Sequence, residues 1–302
     1  MDALSFLRSK RVRLWLAFAA VYLLWGSTYL AIRVALETMP PFVMAGTRFL
    51  VAGSGLYLWA RLSGAARPAL VHWRSAAIVG GLLLFMGNGG VVNGERTVPS
   101  GVAALLIAGT PMWMAIFDAA QKRRFPGPGV VAGLGLGVLG VLILIDPAKL
   151  SSSGSLNPIG AVSVLSASLA WSFGSIYSRR APLPSSPFLA TAMEMLAGGL
   201  CLLVLGSLSG ELHSLPAPSL RSAVAWLWLV VAGSLIGFTA YIWLLRNTTA
   251  AKASTYAFVN PVIAVLLGWA IGGEDLSLRS GVAGAVIVLA LVLITRARAA
   301  ER

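Results

Sequence analysis

The sequence predicts an all-α integral membrane protein of ten transmembrane helices, arranged as two inverted five-helix repeats. Three observations carry that prediction. Ten apolar stretches fill the chain, Lys and Arg collect in every second gap between them, and sliding the chain by about half its length lays one set of five stretches on the other. Hydrophobic residues make up 58% of the 302 residues and charged residues 11%. A soluble domain carries about 25% charged residues, so the charges here are too few to coat a soluble surface and lipid is the expected solvent.

A spanning helix needs about 20 apolar residues. The stretches lie at 14–32, 42–60, 76–92, 101–119, 129–145, 159–177, 188–207, 223–245, 253–271 and 281–295. Ala, Leu and Gly dominate them and strand-period alternation is absent, which favours helices over a barrel. The net charge of +13 suggests nucleic acid, but its distribution argues against that partner. Seventeen Lys and Arg fall at the N-terminus and in alternate gaps, five in the other gaps, and one, Arg48, inside a stretch. The positive-inside rule then places both termini in the cytoplasm. Glu37, Glu95, Asp146, Glu211, Glu274 and Asp275 fall in the gaps on the other side. The basic surplus therefore reads as topology plus contact with anionic lipid.

Arg8 to Arg13 followed by an apolar run resembles a signal peptide. The run is about 19 residues, too long for the apolar region of such a peptide, and no small-residue cleavage site follows, so a retained first span is expected. Cys201, the single cysteine, has no metal-site spacing around it and reads as a core residue.

At an offset of 146, Trp25 meets Trp171, Arg33 meets Arg179, Pro41 meets Pro187, Phe42 meets Phe188, Leu50 meets Leu196 and Gly53 meets Gly199. At 150, Gly87 meets Gly237, Arg96 meets Arg246 and Pro111 meets Pro261. The expected organisation is a cytoplasmic basic segment at 1–13, a first repeat at 14–149, an external linker at 150–158, a second repeat at 159–296 and a cytoplasmic tail at 297–302. Five spans per repeat is an odd number, so the second copy enters the membrane from the opposite side. Inverted repeats of this kind mark secondary transporters whose site lies between the repeats near the bilayer midplane. A duplicated membrane scaffold or sensor is the non-transport alternative.

Several motifs now carry a resemblance. Trp25-Gly26-Ser27-Thr28-Tyr29 resembles the W-G-x-x-[FY] signature of the drug/metabolite transporter superfamily, EamA family. Arg48-Phe49-Leu50-Val51-Ala52 resembles its R-F-x-x-A motif, and Asn260-Pro261 followed by Gly273-Glu274 and Leu276 resembles its ninth-span pattern. The likeness covers all ten stretches. It implies a bacterial inner-membrane exporter of amino acids and other metabolites, with multidrug efflux of lipophilic cations as the alternative. One departure is clear: Arg124 stands where the first repeat of the family carries the counterpart of Glu274, as expected of a cytoplasmic loop.

Arg48 and Glu194 are the ionisable side chains well inside stretches, and they are equivalent at the 146 offset. A charge at a helix centre costs about 2.5–3.5 kcal/mol on insertion scales, which implies a partner, water or a ligand. Each sits about 9 Å deep from opposite faces, leaving about 12 Å between them along the membrane normal, so direct pairing is disfavoured. Arg48 either faces a polar cavity and attracts a carboxylate, or only fixes packing. Glu194 is either a proton or cation site, which would bring proton coupling, or a packing residue bonded to backbone and hydroxyl groups.

Asn88 and Asn93 lie among Gly87, Gly89, Gly90 and Gly94, a poor helix former, so the third span is expected to be broken or closely packed along the pathway. Pro111 and Pro261 are expected to kink spans four and nine. Trp113, Tyr256 and Asn260 sit near them; Trp25 and Tyr29 share a face of span one, with Trp171 at the equivalent place in span six. Such aromatics form either a pathway wall or core. Gly129, Gly133 and Gly137 opposite Ala283, Gly284 and Ala285 suggest close helix approach, within the monomer or in a homodimer. H-E-x-x-H, a Walker loop and G-x-S-x-G are absent, and no cofactor or metal is expected. Energy would come from solute or ion gradients. The expected partners are a small-molecule substrate and the bilayer.

Overall fold

The computed structural model describes residues 9–94, 96–98, 106–145, 158–213, 215, 217–272 and 278–296. Among the described residues the regular structure is helical, with no strand. The principal helices are α1 (Lys10–Ala35), α2 (Pro41–Leu62), α3 (Leu70–Gly94), α4 (Thr110–Lys122), α5 (Pro128–Ile145), α6 (Pro158–Ser178), α7 (Pro187–Leu208), α8 (Leu220–Asn247), α9 (Tyr256–Gly272) and α10 (Leu278–Arg296). A single turn at Ala250–Ala253 precedes α9. Among the described residues, α1, α3, α6, α7 and α8 are long and apolar enough to cross a membrane, and α5 and α10 hold shorter apolar segments. The beginning of the fourth apolar stretch, most of the 150–158 linker and the Gly273-Glu274-Leu276 motif lie outside the described residues, as do Glu95, Asp146 and Asp275.

The helix ends follow from local chemistry. Pro41, Pro111 and Pro187 stand in the first turns of α2, α4 and α7, where their missing N–H costs no helical bond. Pro111 thus follows a break at Gly109, whereas Pro261 lies inside α9. Ser186 and Ser219 cap α7 and α8 through their hydroxyls, accepting from the N–H of Leu189 and Ser222. The Glu211 carboxylate accepts the N–H groups of Phe42 and Val43 at 3.0 and 2.9 Å, placing a negative charge at the positive end of α2.

Both α3 and α8 run through π-helical turns, over Gly81–Asn88 and Leu229–Phe238. These segments overlap when the chain is shifted by 150 residues. The third apolar stretch is therefore a continuous helix with a widened segment. Its glycines also give close packing: Gly90 and Gly94 face the backbone of α6 at Ser163 and Gly160.

Packing partners exchange under the same offsets. Helix α1 packs on α8 and α9, and its counterpart α6 packs on α3 and α4. Helix α2 packs along α7, and α5 along α10. The match extends to single contacts. A Cβ on Gly53 would lie 3.0 Å from the Met195 Cβ and 3.1 Å from the Ala192 carbonyl oxygen. A Cβ on Gly199 would lie 3.0 Å from the Phe49 Cβ and 3.1 Å from the Gly46 carbonyl oxygen. Shifting the first set by 146 gives the second. Gly133 and Gly140 likewise let α5 approach Ala290, Ile294 and Ile287 of α10, while Gly137 receives the ring of Phe258.

One expectation is overturned. Cys201 is exposed. It shares the outer face of α7 with Leu200 and Val204, 57% and 50% exposed, because the glycine face of that helix is the one turned to α2. Asp118 and Lys122 form an i,i+4 ion pair at 2.7 Å.

Replacing Gly46 by Leu will force α2 and α7 apart, because an added Cβ already meets Leu203 N at 2.9 Å and the Gly199 carbonyl oxygen at 3.0 Å. A loss of about 1–3 kcal/mol is expected, read as a lower unfolding temperature in detergent. Gly55→Leu, with open space around it, should stay within about 0.5 kcal/mol of the parent protein.

Candidate functional site

A pocket lies where the two sets of helices meet. Each half contributes equivalent residues to its wall: Trp25 and Trp171, Thr110 and Asn260, Asn88 and Phe238. The pocket therefore sits on the relation between the halves.

Five aromatic side chains form a connected cluster, and all but Tyr241 line the pocket. Trp25 meets Trp171 edge to face with centroids 5.6 Å apart, and packs on Tyr241 at 5.1 Å and Tyr256 at 5.0 Å. Phe238 lies against Trp171 at 6.3 Å. Polar edges fix the rings: Trp25 Nε1 donates to the Gly233 carbonyl at 3.0 Å, and Trp171 Nε1 to the Tyr241 hydroxyl at 3.0 Å. That hydroxyl also bonds to Ser175 Oγ at 2.7 Å. Tyr22, a few residues earlier on α1, bonds through its hydroxyl to Thr255 at 2.5 Å. Aromatic pairs contribute about 0.5–1.5 kcal/mol each beyond area burial, so the layer is cohesive.

Arg48 supplies the charge of the pocket. Its Nε donates to Ser234 Oγ at 2.8 Å, and its guanidinium carbon lies 4.5 Å from the ring centre of Phe49. It is 5% exposed, yet among the described residues it forms no ion pair. A guanidinium has five N–H donors, and one serine oxygen uses a single one of them. Asn88 and Asn260 line the same pocket, each with a buried side-chain oxygen lacking a hydrogen-bond partner. Buried polar atoms without partners are uncommon in folded proteins. The wall thus offers unused donors on Arg48 and unused acceptors on two amides, beside an aromatic floor.

The other candidate residues fall elsewhere. Asn93 bonds through its amide nitrogen to Ser163 at 3.5 Å and holds α3 to α6 outside the pocket. Trp113 is half-buried beside Gly109 and is not part of the wall. Tyr29 stands on α1, and its side chain lies outside the described residues. Glu194 is fully buried away from the pocket, with neither carboxyl oxygen hydrogen-bonded. One turn earlier on α7, the hydroxyl of Thr191 is also buried without a partner. The charge that acts on Glu194 is that of Arg246 on α8. Sequence reasoning missed Ser234, Tyr241, Thr28 and Phe238. For Phe238 a signal existed, since it is the offset partner of Asn88.

A helical bundle with spans of membrane length and a polar, aromatic pocket between two matching halves has the form of a membrane carrier. The model of the EamA-like transporter family matches residues 13–146 and again residues 158–296. The chain belongs to this family of transporters. It is 42% identical over 283 residues to the uncharacterized inner membrane transporter YedA of Escherichia coli strain K12, covering 92% of this chain and 89% of the relative. Protein PagO of Salmonella typhimurium is 27% identical, with 96% of this chain and 95% of that protein covered. A crystal structure of a protein 20% identical to this chain has the same fold, with a TM-score of 0.78 over 95% of this chain and 98% of that one.

Ser234→Ala will leave Arg48 buried without its bond. A destabilisation of about 1–3 kcal/mol is expected, measured by chemical unfolding of the purified protein, with most of the loss restored in Ser234→Thr.

Proposed function

We propose that this transporter exports amino acids or related amphipathic metabolites across the bacterial inner membrane by alternating access. In this reading all ten helices cross the bilayer, the halves at 14–149 and 159–296 are inverted copies, and both termini face the cytoplasm. The observation that carries the substrate class is Arg48, lining the pocket without an acidic partner among the described residues, next to the aromatic layer and the two amide oxygens. A carboxylate suits the unused guanidinium donors, an ammonium suits the amide oxygens, and an apolar side chain suits the tryptophans. Lipophilic cations are the second reading. The guanidinium in the wall repels them, and no carboxylate lies among the described lining residues to attract them.

With the termini inside, Arg48, Ile32 and Val91 belong to the outer half of the bundle, and Tyr22, Ser175 and Tyr241 to the inner half. The pocket then opens outward, and the aromatic layer closes it from the cytoplasm. Proton coupling is assigned to Glu194, a fully buried carboxyl group with no hydrogen-bond partner. From α3, Gly80 packs on the backbone carbonyl of Glu194, and the charge facing it from α8 is Arg246.

The test is uptake of labelled aromatic and aliphatic amino acids into proteoliposomes, with and without a pH gradient. Flux that follows the gradient and loses that response in Glu194→Gln is expected; a gradient response retained in Glu194→Gln would remove the coupling role. Arg48→Gln should weaken the apparent affinity for the carried amino acid about tenfold to a hundredfold, the equivalent of one charge-assisted hydrogen bond. Flux confined to lipophilic cations would reject the amino-acid reading.

A further inference from the structure

Resting on the alternating-access reading above, we propose that the cytoplasm-facing cavity is the repeat-exchanged copy of the open pocket, and that Glu194 occupies in it the place Arg48 occupies in the pocket now open. The charge of the cavity would then reverse between the two access states, from a guanidinium outside to a carboxylate inside. The group received at Glu194 is cationic, the ammonium end of a zwitterionic solute.

The argument begins with the paired contacts. Packing partners and individual glycine contacts in the two halves exchange under the offsets of 146 and 150. A structure built from two such halves has a second arrangement of similar energy, in which each half adopts the conformation of the other. Shifting the wall of the open pocket by the same offsets gives the wall of the second cavity. Trp25 and Trp171 exchange with each other, as do Thr110 and Asn260, so the centre is common to both states. Ile32 is replaced by Ser178, Val91 by Tyr241, Phe49 by Met195 and Arg48 by Glu194.

All four of those replacements are closed off at present in the manner of a shut cavity. Tyr241 and Met195 are fully buried, and Ser178 is 6% exposed. Tyr241 is held in the aromatic layer by Ser175 and Trp171. Glu194 is the exception in bonding: both its oxygens are buried and unpartnered. A buried carboxyl group without hydrogen bonds is unfavourable when charged, and among the described residues the packed arrangement offers Glu194 the charge of Arg246 but no hydrogen bond. Opening the cytoplasmic side supplies water and admits a cationic ligand. Arg48 behaves inversely, keeping its bond to Ser234 while its open pocket exists. Glu194 therefore pulls the equilibrium toward the inward-open state, because a charged group favours whichever state solvates it.

The test uses the full-length protein in membrane vesicles with Cys201→Ser as background. Thr28→Cys reports the outward pocket and Ser178→Cys the inward cavity, each read by reaction with a membrane-impermeant maleimide. Thr28→Cys should react on right-side-out vesicles and Ser178→Cys on inside-out vesicles. Adding Glu194→Gln should slow the Ser178→Cys reaction at least fivefold and speed the Thr28→Cys reaction, with Glu194→Asp leaving both near their starting rates. Rates that Glu194→Gln leaves unchanged, or moves in the same direction, would overturn the proposal, as would Ser178→Cys reacting from the outside. The two readings fail separately. Amino-acid flux with no reaction at Ser178→Cys from the cytoplasm sinks the exchanged cavity and leaves the carrier. Reciprocal labelling with no amino-acid flux sinks the substrate reading and leaves the exchange.

Discussion

Everything in this molecule is arranged around the backbone contact between α2 and α7. Gly46, Gly53 and Gly199 remove the side chains that would hold the two helices apart, and the carbonyls of Gly46, Ala192 and Gly199 fill the space. Inside a bilayer, association gains little from the hydrophobic effect and depends on close packing. The contact is also its own counterpart under the 146-residue offset, so it fixes both halves about one shared seam.

Two consequences follow from that seam. Turning the glycine faces of α2 and α7 toward each other sets Arg48 toward α8 and leaves Glu194 buried between α7 and its neighbours α3 and α8. It also brings α1 and α6 close enough for Trp25 and Trp171 to touch. The aromatic layer, the guanidinium and the unpaired amide oxygens are thus one arrangement, produced by how closely two helices approach. The π-helical turns of α3 and α8 lie beside it, at the level where Asn88 and Phe238 reach the pocket. Wide turns of that kind frequently occur at functional sites.

The sequence disclosed some of this and hid the rest, for physical reasons. Helix positions were readable because apolar length is an additive property of a local window; most expected stretches coincide closely with a helix, while α3 starts earlier, at Leu70, and α4 starts at Thr110 after a break at Gly109. Trp25, Arg48, Asn88, Trp171, Tyr256 and Asn260 were picked out and share the pocket wall. Arg48, Asn88 and Asn260 were found because a charge or amide in an apolar span has no local reason to be there, and the three aromatics through the motif, the repeat offset and the neighbouring proline. Asn93 was picked out on the same ground, but it serves packing with Ser163; a polar residue in a span does not reveal which neighbour it faces. Ser234 and Tyr241 were missed because a serine or tyrosine is unremarkable in a span until a partner from another helix arrives. Cys201 was assigned to the core because apolar character alone does not separate a lipid-facing position from a buried one; the glycines of α7 mark the buried face. The π-helical segments left no mark that a period of 3.6 residues would detect.

The central claim is that the two halves run through the membrane in opposite senses. Met39, between α1 and α2, and Ser185, between α6 and α7, are equivalent at the 146 offset. Single cysteines at these two positions, placed in the Cys201→Ser protein, should be tested on intact right-side-out vesicles with a membrane-impermeant thiol reagent. The account predicts that Met39→Cys reacts at once and Ser185→Cys only after the membrane is permeabilised. Reaction of both from the same side would contradict the inverted arrangement, and with it the exchange of one half's conformation for the other's.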